Sequence, residues 1–234
     1  MSSVATAVPI AAATYSPGMT GTIALQGGGP FAANDELDAR LLGALVPPAA
    51  GAGAQGKVVV LPTADAYEQP ERLVTAALSW GERLDVEVEA LMVLRRADAL
   101  EEGAADVVRG ARAVYLVGDN PMHLRSALKD TPLLAAIEGV VAAGGVLVAC
   151  AGSAAALCDP MVDMRGGAFT LGLGVVAGLA LVTQAEAWSP ARLTRTLDLA
   201  NTPVAVLPTG SALVRSAAGW ERIGAVDLRG DLPA

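Results

Sequence analysis

Short apolar runs that alternate with helix-like segments are the feature that most constrains the fold of this chain. The runs KVVVL at residues 57–61 and AVYLV at residues 113–117 have the length and the β-branched content of buried strands. Alternation of such runs with helices predicts βαβ units, and therefore a mostly parallel sheet with right-handed crossovers. The predicted strands are residues 22–26, 57–61, 86–91, 113–117 and 146–149. The predicted helices are residues 35–45, 70–83, 98–108, 121–128 and 133–143.

The pattern changes after residue 150. Residues 159–178 are Gly-rich and irregular, a strand-like run follows at 179–182, and Ser189 with Pro190 begins a helix that extends to about residue 199. Three closing strands, expected to be short and antiparallel, are predicted at residues 203–207, 212–215 and 220–226. With no linker or internal repeat, we expect one domain over residues 21–234, preceded by a loosely ordered segment at residues 1–20.

The composition supplies the apolar surface that such a sheet requires. Hydrophobic residues make up 53% of the chain and charged residues 17%, which suits strands that are buried on both faces. Aromatic residues make up only 3%, so the core must consist mainly of Ala, Val and Leu. The sequence therefore predicts an α/β fold, a three-layer αβα sandwich.

The same composition argues against several classes of partner and cofactor. A net charge of −8 without a Lys/Arg cluster disfavours nucleic acid, and no apolar run is long enough to predict a membrane span. Neither G-x-G-x-x-G nor a P-loop occurs, and two cysteines with one histidine predict no metal site, so we expect no cofactor. Without a signal peptide pattern, a cytoplasmic location is expected.

Three turns follow predicted strands and are therefore the candidate positions for a site, because parallel sheets bind ligands at the carboxyl ends of their strands. They are residues 27–29, 118–120 and 150–153. Backbone N–H groups in the first turn could stabilise an oxyanion. The third turn joins a strand to an Ala-rich helix through small residues, which is typical of a nucleophile elbow. Cys150, Ala151 and Ser153 compete for the nucleophile position.

Residues 144–199 carry a run of motifs, among them CDPMVDMRGG, LGLGVVAGLAL and WSPARLTRTL, that resembles a known family. Upstream, LQGGGPF, VVLPTADAY and VYLVGDNPMHLRSAL extend the likeness to about residue 21. Together they resemble the bacterial cyanophycinase and dipeptidase E branch of the class I glutamine amidotransferase-like superfamily. The resemblance implies a flavodoxin-like sheet. It also implies the activity of a serine hydrolase, since members of this branch cleave peptide or isopeptide bonds with a Ser, a His and an acidic residue.

Transferring those three roles onto this chain leaves all of them vacant. Counting back from Asp159, the serine position falls on Ala151, and the gap-free spacing to Trp188 places the histidine position on Gln184. The acidic position falls on Pro208 or Thr209. Alanine offers no nucleophile and glutamine no base near neutral pH. The resemblance therefore implies a catalytically inactive homologue, which would bind a peptide-like or amino-acid-like ligand or a partner protein.

An active or altered hydrolase is the alternative. It would use Ser153 in a register shifted by two residues, or Cys150 as a thiol nucleophile, with His123 as a surrogate base. The ordinary interpretations of these residues are a structural serine near a helix start, a small buried thiol and a surface or capping histidine.

The resemblance also implies a pocket and a mode of assembly. The pocket would be lined by residues of the three turns and of the segment after Gln184, namely Gly28, Gly29, Asp119, Asn120, Gly152 and Glu186. Relatives of this kind form dimers, so a homodimer is expected. A third interpretation is a structural or regulatory subunit that pairs with an active relative.

Overall fold

A computed structural model describes residues 20–43 and 57–233 of the chain. Fourteen strands are found in this part of the chain: β1 Thr22–Gln26, β2 Val58–Leu61, β3 Val88–Ala90, β4 Ala113–Leu116, β5 Val146–Cys150, β6 Cys158–Asp159, β7 Met161–Val162, β8 Phe169–Thr170, β9 Val176–Ala177, β10 Ala180–Thr183, β11 Val204–Leu207, β12 Ala212–Ser216, β13 Gly219–Ile223 and β14 Asp227–Arg229. The α-helices are α1 Asp35–Gly43, α2 Pro70–Leu84, α3 Arg96–Ala99, α4 Glu102–Arg109, α5 Pro121–Leu128, α6 Pro132–Ala142, α7 Gly152–Leu157 and α8 Pro190–Asp198.

The main sheet has seven strands in the order β13-β12-β1-β5-β4-β2-β3. The neighbours from β1 to β3 are all parallel, whereas β12 pairs antiparallel with β1 and β13 antiparallel with β12. The predicted α/β fold with a mostly parallel sheet and antiparallel closing strands is therefore confirmed. In the centre, Gln26 at the end of β1 lies beside Cys150 at the end of β5.

Helices cover both faces of this sheet, and each face buries its own apolar cluster. Alternation along β1 sends Ile23 and Leu25 to the face covered by α4, α5 and α6, where Leu124 and Ile137 pack. It sends Ala24 to the opposite face, where Leu37 of α1 and Trp80 of α2 pack. The central strands are thus buried on both sides, as the apolar runs predicted.

A smaller sheet, in the order β10-β11-β14, lies outside the main one. Its strand β11 corresponds to the predicted closing strand at 203–207, but β11 pairs parallel with β10 and antiparallel with β14. The antiparallel expectation was wrong for the β10 edge because α8 crosses over between β10 and β11, which brings the chain back in the same direction.

Three other predicted elements had the wrong extent. The single helix predicted at 98–108 is two helices, α3 and α4, because the backbone at Glu101 between them is extended. The first helix also starts earlier than predicted. Asp98 caps its start by accepting hydrogen bonds from the N–H groups of Leu94 and Arg95. The strand at 86–91 is only β3, and the run at 220–226 turns at Gly224 (φ 69°) between β13 and β14. The prediction for residues 1–20 falls almost wholly outside the described residues, as does the predicted loop at 47–56.

None of the helices within residues 20–43 and 57–233 combines the length and the hydropathy that a transmembrane helix needs.

Candidate functional site

The turn after β5 has the geometry of a nucleophile elbow, with Ala151 at its tip. Ala151 adopts φ 58° and ψ −128°, a backbone conformation that costs an L-residue roughly 1–3 kcal/mol. Its N–H donates to the carbonyl of Gln26 at 3.0 Å, which ties the tip to the end of β1. Gly152 then begins α7. The strained residue is therefore the one that the family motifs place at the serine position.

The two alternative nucleophiles lie behind this tip, in the interior. Cys150 is fully buried within β5, and burial raises the pKa of its thiol, with the carboxylates of Asp38 and Asp119 adding to the rise. Ser153 is also fully buried, and its hydroxyl donates to the carbonyl of Gly118 at 3.3 Å. A buried thiol with a raised pKa is inert, and a buried serine held by a carbonyl cannot reach a substrate.

Gln184 and Thr209 follow neighbouring parallel strands, at the same end of the smaller sheet. Gln184 comes directly after β10 in a left-handed conformation (φ 49°), and its N–H donates to the carbonyl of Gly27 at 2.8 Å. The turn at residues 27–29 packs against both residues. A Cβ on Gly28 would stand 2.8 Å from Thr209 Oγ1 and 3.0 Å from Gln184 Cγ. Two of the three positions that the resemblance assigns to a triad therefore border one glycine.

Asp119 connects this group to the elbow. Gln184 Nε2 donates to Asp119 Oδ1 at 3.1 Å, and Gly152 lies so close that a Cβ there would overlap the Asp119 backbone. The backbone N–H of Asp119 donates to Asp65 Oδ1 at 2.6 Å. Burial and the nearby Asp65 raise the pKa of Asp119, while the Gln184 side chain and the N–H of Gly152 lower it. The predicted pocket residues Gly28, Asp119 and Gly152 thus lie together with Gln184.

Glu186, in the turn that follows Gln184, contacts Thr209. Its carboxylate accepts a hydrogen bond from the Thr209 N–H at 3.1 Å and another from the Thr209 hydroxyl. The Thr209 hydroxyl is the main reason that the pKa of Glu186 is lowered.

His123 belongs to the wall of a neighbouring cleft. The cleft has a volume of about 620 Å³ and is lined by α5 and three loops, with Asp65, Glu68, Asp119, Asn120, His123, Asp163 and Arg165 among its polar residues. His123 Nε2 lies 2.8 Å from the carbonyl oxygen of Leu94, and the Tyr67 ring packs edge-on against the imidazole at 5.0 Å. Asn120 accepts the His123 N–H at 3.0 Å and so caps α5. These contacts give both His123 and Asn120 a structural role.

Sequence reasoning missed two carboxylates beside the site. Asp65 follows β2 at the same edge of the sheet, so its position after a strand was a usable signal. Asp38 lies behind the elbow, fully buried, where Gln26 Nε2 donates to its Oδ1 at 2.6 Å and the Tyr115 hydroxyl donates to Gln26 Oε1 at 2.7 Å. No sequence signal separated Asp38 from Asp35 and Glu36, the less buried acidic residues of α1.

Solved structures show what this fold resembles. A peptidase from an acI-B1 actinobacterium superposes with a TM-score of 0.76 at 24% sequence identity, covering 89% of this chain and 89% of that one. A protein from Listeria monocytogenes EGD-e, described as a candidate peptidase E, superposes with a TM-score of 0.60 at 17% identity, covering 89% of this chain and 98% of that one. No protein-family model matches the chain, and no curated protein sequence matches it. At these identities the likeness establishes a fold shared with peptidases.

Proposed function

We propose that this chain is a non-hydrolytic relative of peptidase E-type hydrolases, which binds a peptide-like or amino-acid-like molecule at the former active site. The observation that carries the proposal is the elbow itself. Ala151 keeps the strained conformation of a nucleophile position, and yet it has only a methyl group to present.

The surrounding groups supply no other route to hydrolysis. Gln184 has no basic nitrogen, and its amide is already bonded to Asp119. In an elbow the N–H of the residue after the nucleophile stabilises the oxyanion, and here that residue is Gly152. Its N–H acts on the Asp119 carboxyl, whose pKa it lowers. The proposal therefore rests on the lack of a nucleophile at Ala151 and of a base at Gln184.

Binding is favoured because several polar groups still meet at this site. Amide, hydroxyl and carboxylate groups of Gln184, Thr209, Glu186 and Asp119 converge at one edge of the sheets, beside a cleft of about 620 Å³. Small-molecule sites in proteins combine a cleft with a few convergent polar groups, and Asp119 belongs both to this group and to the lining of the cleft. The two structural neighbours are described as peptidases, which supports a peptide-like or amino-acid-like ligand.

The wild-type protein is expected to remain unlabelled by a fluorophosphonate, because Ala151 offers no hydroxyl at the tip of the elbow and Gln184 offers no base. Intact-protein mass spectrometry after prolonged incubation measures the labelled fraction. An active serine peptidase treated in parallel controls for the reagent. Stoichiometric labelling that Ser153→Ala abolishes would contradict the proposal and favour the altered hydrolase. The variant Cys150→Ala makes the same comparison for a thiol nucleophile with iodoacetamide as the probe.

A further inference from the structure

A buried polar cluster lies directly behind the elbow, on the face of the sheet that α1 and α2 cover. Gln26 is its centre: its backbone carbonyl accepts the N–H of Ala151 at 3.0 Å, and its side chain donates to Asp38 Oδ1 at 2.6 Å. The Tyr115 hydroxyl donates to Oε1 of the same side chain at 2.7 Å. One fully buried residue therefore contacts both the tip of the elbow and a buried carboxyl group.

Two polar atoms of this cluster, Asp38 Oδ2 and Trp80 Nε1, have no hydrogen-bond partner among residues 20–43 and 57–233. Their side chains face each other, because Trp80 is one of the groups that lower the pKa of Asp38. The indole packs against the rings of Phe31 and Tyr115 at centroid distances of 5.4 and 5.5 Å, so only a small movement is open to it. A buried donor and a buried acceptor without partners are costly, and such a movement allows them to pair.

We propose that Asp38 is a protonation switch behind the elbow. When its carboxyl group releases its proton to solvent, Oδ2 accepts the indole N–H of Trp80, and Gln26 transmits the change to the N–H of Ala151. The switch depends on these contacts alone and goes beyond the proposed function, because it operates whether or not a ligand is bound.

Asp38 is the residue of the cluster whose charge changes near neutral pH. Burial raises its pKa from 3.8 to about 7, and the carboxylate of Asp35, which is paired with Arg83 at 2.8 Å, adds to the rise. Burial also raises the pKa of the Tyr115 phenol and that of the Cys150 thiol well above their usual values, so both groups stay neutral. Deprotonation therefore places one negative charge in the cluster, on the Asp38 carboxylate.

Hydrogen bonds strengthen and shorten when their acceptor becomes charged. Ionisation of Asp38 therefore tightens the bond from Gln26 Nε2 and draws the indole of Trp80 towards Oδ2. The side chain and the carbonyl of Gln26 belong to one residue at the end of β1. A displacement of that side chain thus reaches the hydrogen bond that holds Ala151.

An NMR titration of the ¹⁵N-labelled full chain from about pH 5 to about pH 9 tests this switch. The indole N–H signal of Trp80 and the amide signal of Ala151 are expected to shift with one common midpoint at about pH 7. The indole proton is expected to move downfield as the pH rises, since it enters a charge-assisted hydrogen bond. Asp38→Asn, which resembles the neutral acid, is expected to abolish both shifts.

Asp35→Asn is the matched control on the same helix. It keeps Asp38 and removes the neighbouring negative charge, so both shifts are expected to persist with a lower midpoint. An Ala151 shift caused by Asp119, whose pKa burial also raises, would persist in Asp38→Asn and would overturn the link to the elbow. A Trp80 indole signal that stays constant over the whole pH range in the wild type would overturn the switch. Because the titration needs no ligand, these failures leave the proposed function intact, whereas fluorophosphonate labelling contradicts only the proposed function.

Discussion

Replacing the buried Asp38 by asparagine is expected to stabilise the protein increasingly as the pH rises above about 4, and to flatten the pH dependence of its stability. Burial raises the pKa of Asp38 from 3.8 to about 7, with Asp35 contributing to the rise and the Gln26 side chain opposing it. Asp38 Oδ2 has no hydrogen-bond partner within the described part of the chain. The folded protein therefore favours the neutral carboxylic acid.

The direction of the effect follows from proton binding. Between pH 3.8 and about 7 the unfolded chain has released the Asp38 proton while the folded protein still holds it, so the free energy of unfolding falls as the pH rises through this window. A tenfold change in proton affinity corresponds to about 1.4 kcal/mol, so by pH 8 the free energy of unfolding has fallen by on the order of 4 kcal/mol. An asparagine resembles the neutral acid and has no proton to lose.

Urea unfolding of both proteins at several pH values measures the difference. We expect Asp38→Asn to match the wild type near pH 4 and to exceed it increasingly up to pH 8. Asp231→Asn, at an exposed position, is the control for a general change in net charge. Parallel stability profiles for the wild type and Asp38→Asn would contradict a neutral Asp38 in the folded protein.

Gly152→Ala is expected to destabilise the fold by about 2–4 kcal/mol, because the added methyl group would overlap the backbone carbonyl of Asp119. Neither partner can yield easily, since α7 begins at Gly152 and the N–H of Asp119 is held by Asp65. Gly139→Ala is the matched control: it lies within α6 with no atom near its would-be Cβ, so it should stabilise by about 0.5–1 kcal/mol.

Chemical denaturation of the wild type and the two alanine variants measures both changes in the free energy of unfolding. A Gly152→Ala protein as stable as the wild type would show that the elbow and the turn at residues 118–120 are not in close contact.

Much of the fold followed from local sequence signals. The strand at 22–26 and the helix at 121–128 have the predicted bounds, because apolar runs ended at Gly and helices began at a capping residue followed by Pro. Ser189 caps α8 as predicted, through its hydroxyl and the N–H of Arg192. What failed was the pairing of the strand at 203–207, since a run of apolar residues does not specify which neighbour it joins or in which direction.

For the candidate site, too, the sequence indicated some features and not others. Motif spacing indicated Ala151 and Gln184, and the three turns after predicted strands do lie at one edge of the sheet, as parallel strands require. The contacts that define the site were not accessible, because they join distant parts of the chain. The Gln184–Asp119 bond spans 65 residues and the Asp119–Asp65 bond spans 54. The link between Glu186 and Thr209 likewise depends on how two turns of neighbouring strands meet in space.

The most direct test of whether this chain binds a dipeptide without cleaving it is an NMR titration with Asp-Leu, Lys-Leu and Ala-Leu, in which the signals of both the protein and the dipeptide are followed. The backbone amide signals of the protein report binding, and the dipeptide signals report hydrolysis in the same sample. We expect at least one dipeptide to shift the amides of Gly28, Gly152 and Gln184 saturably, while its own spectrum stays that of the intact dipeptide for days. Appearance of free leucine, or saturable shifts confined to residues away from these turns, would contradict the proposal.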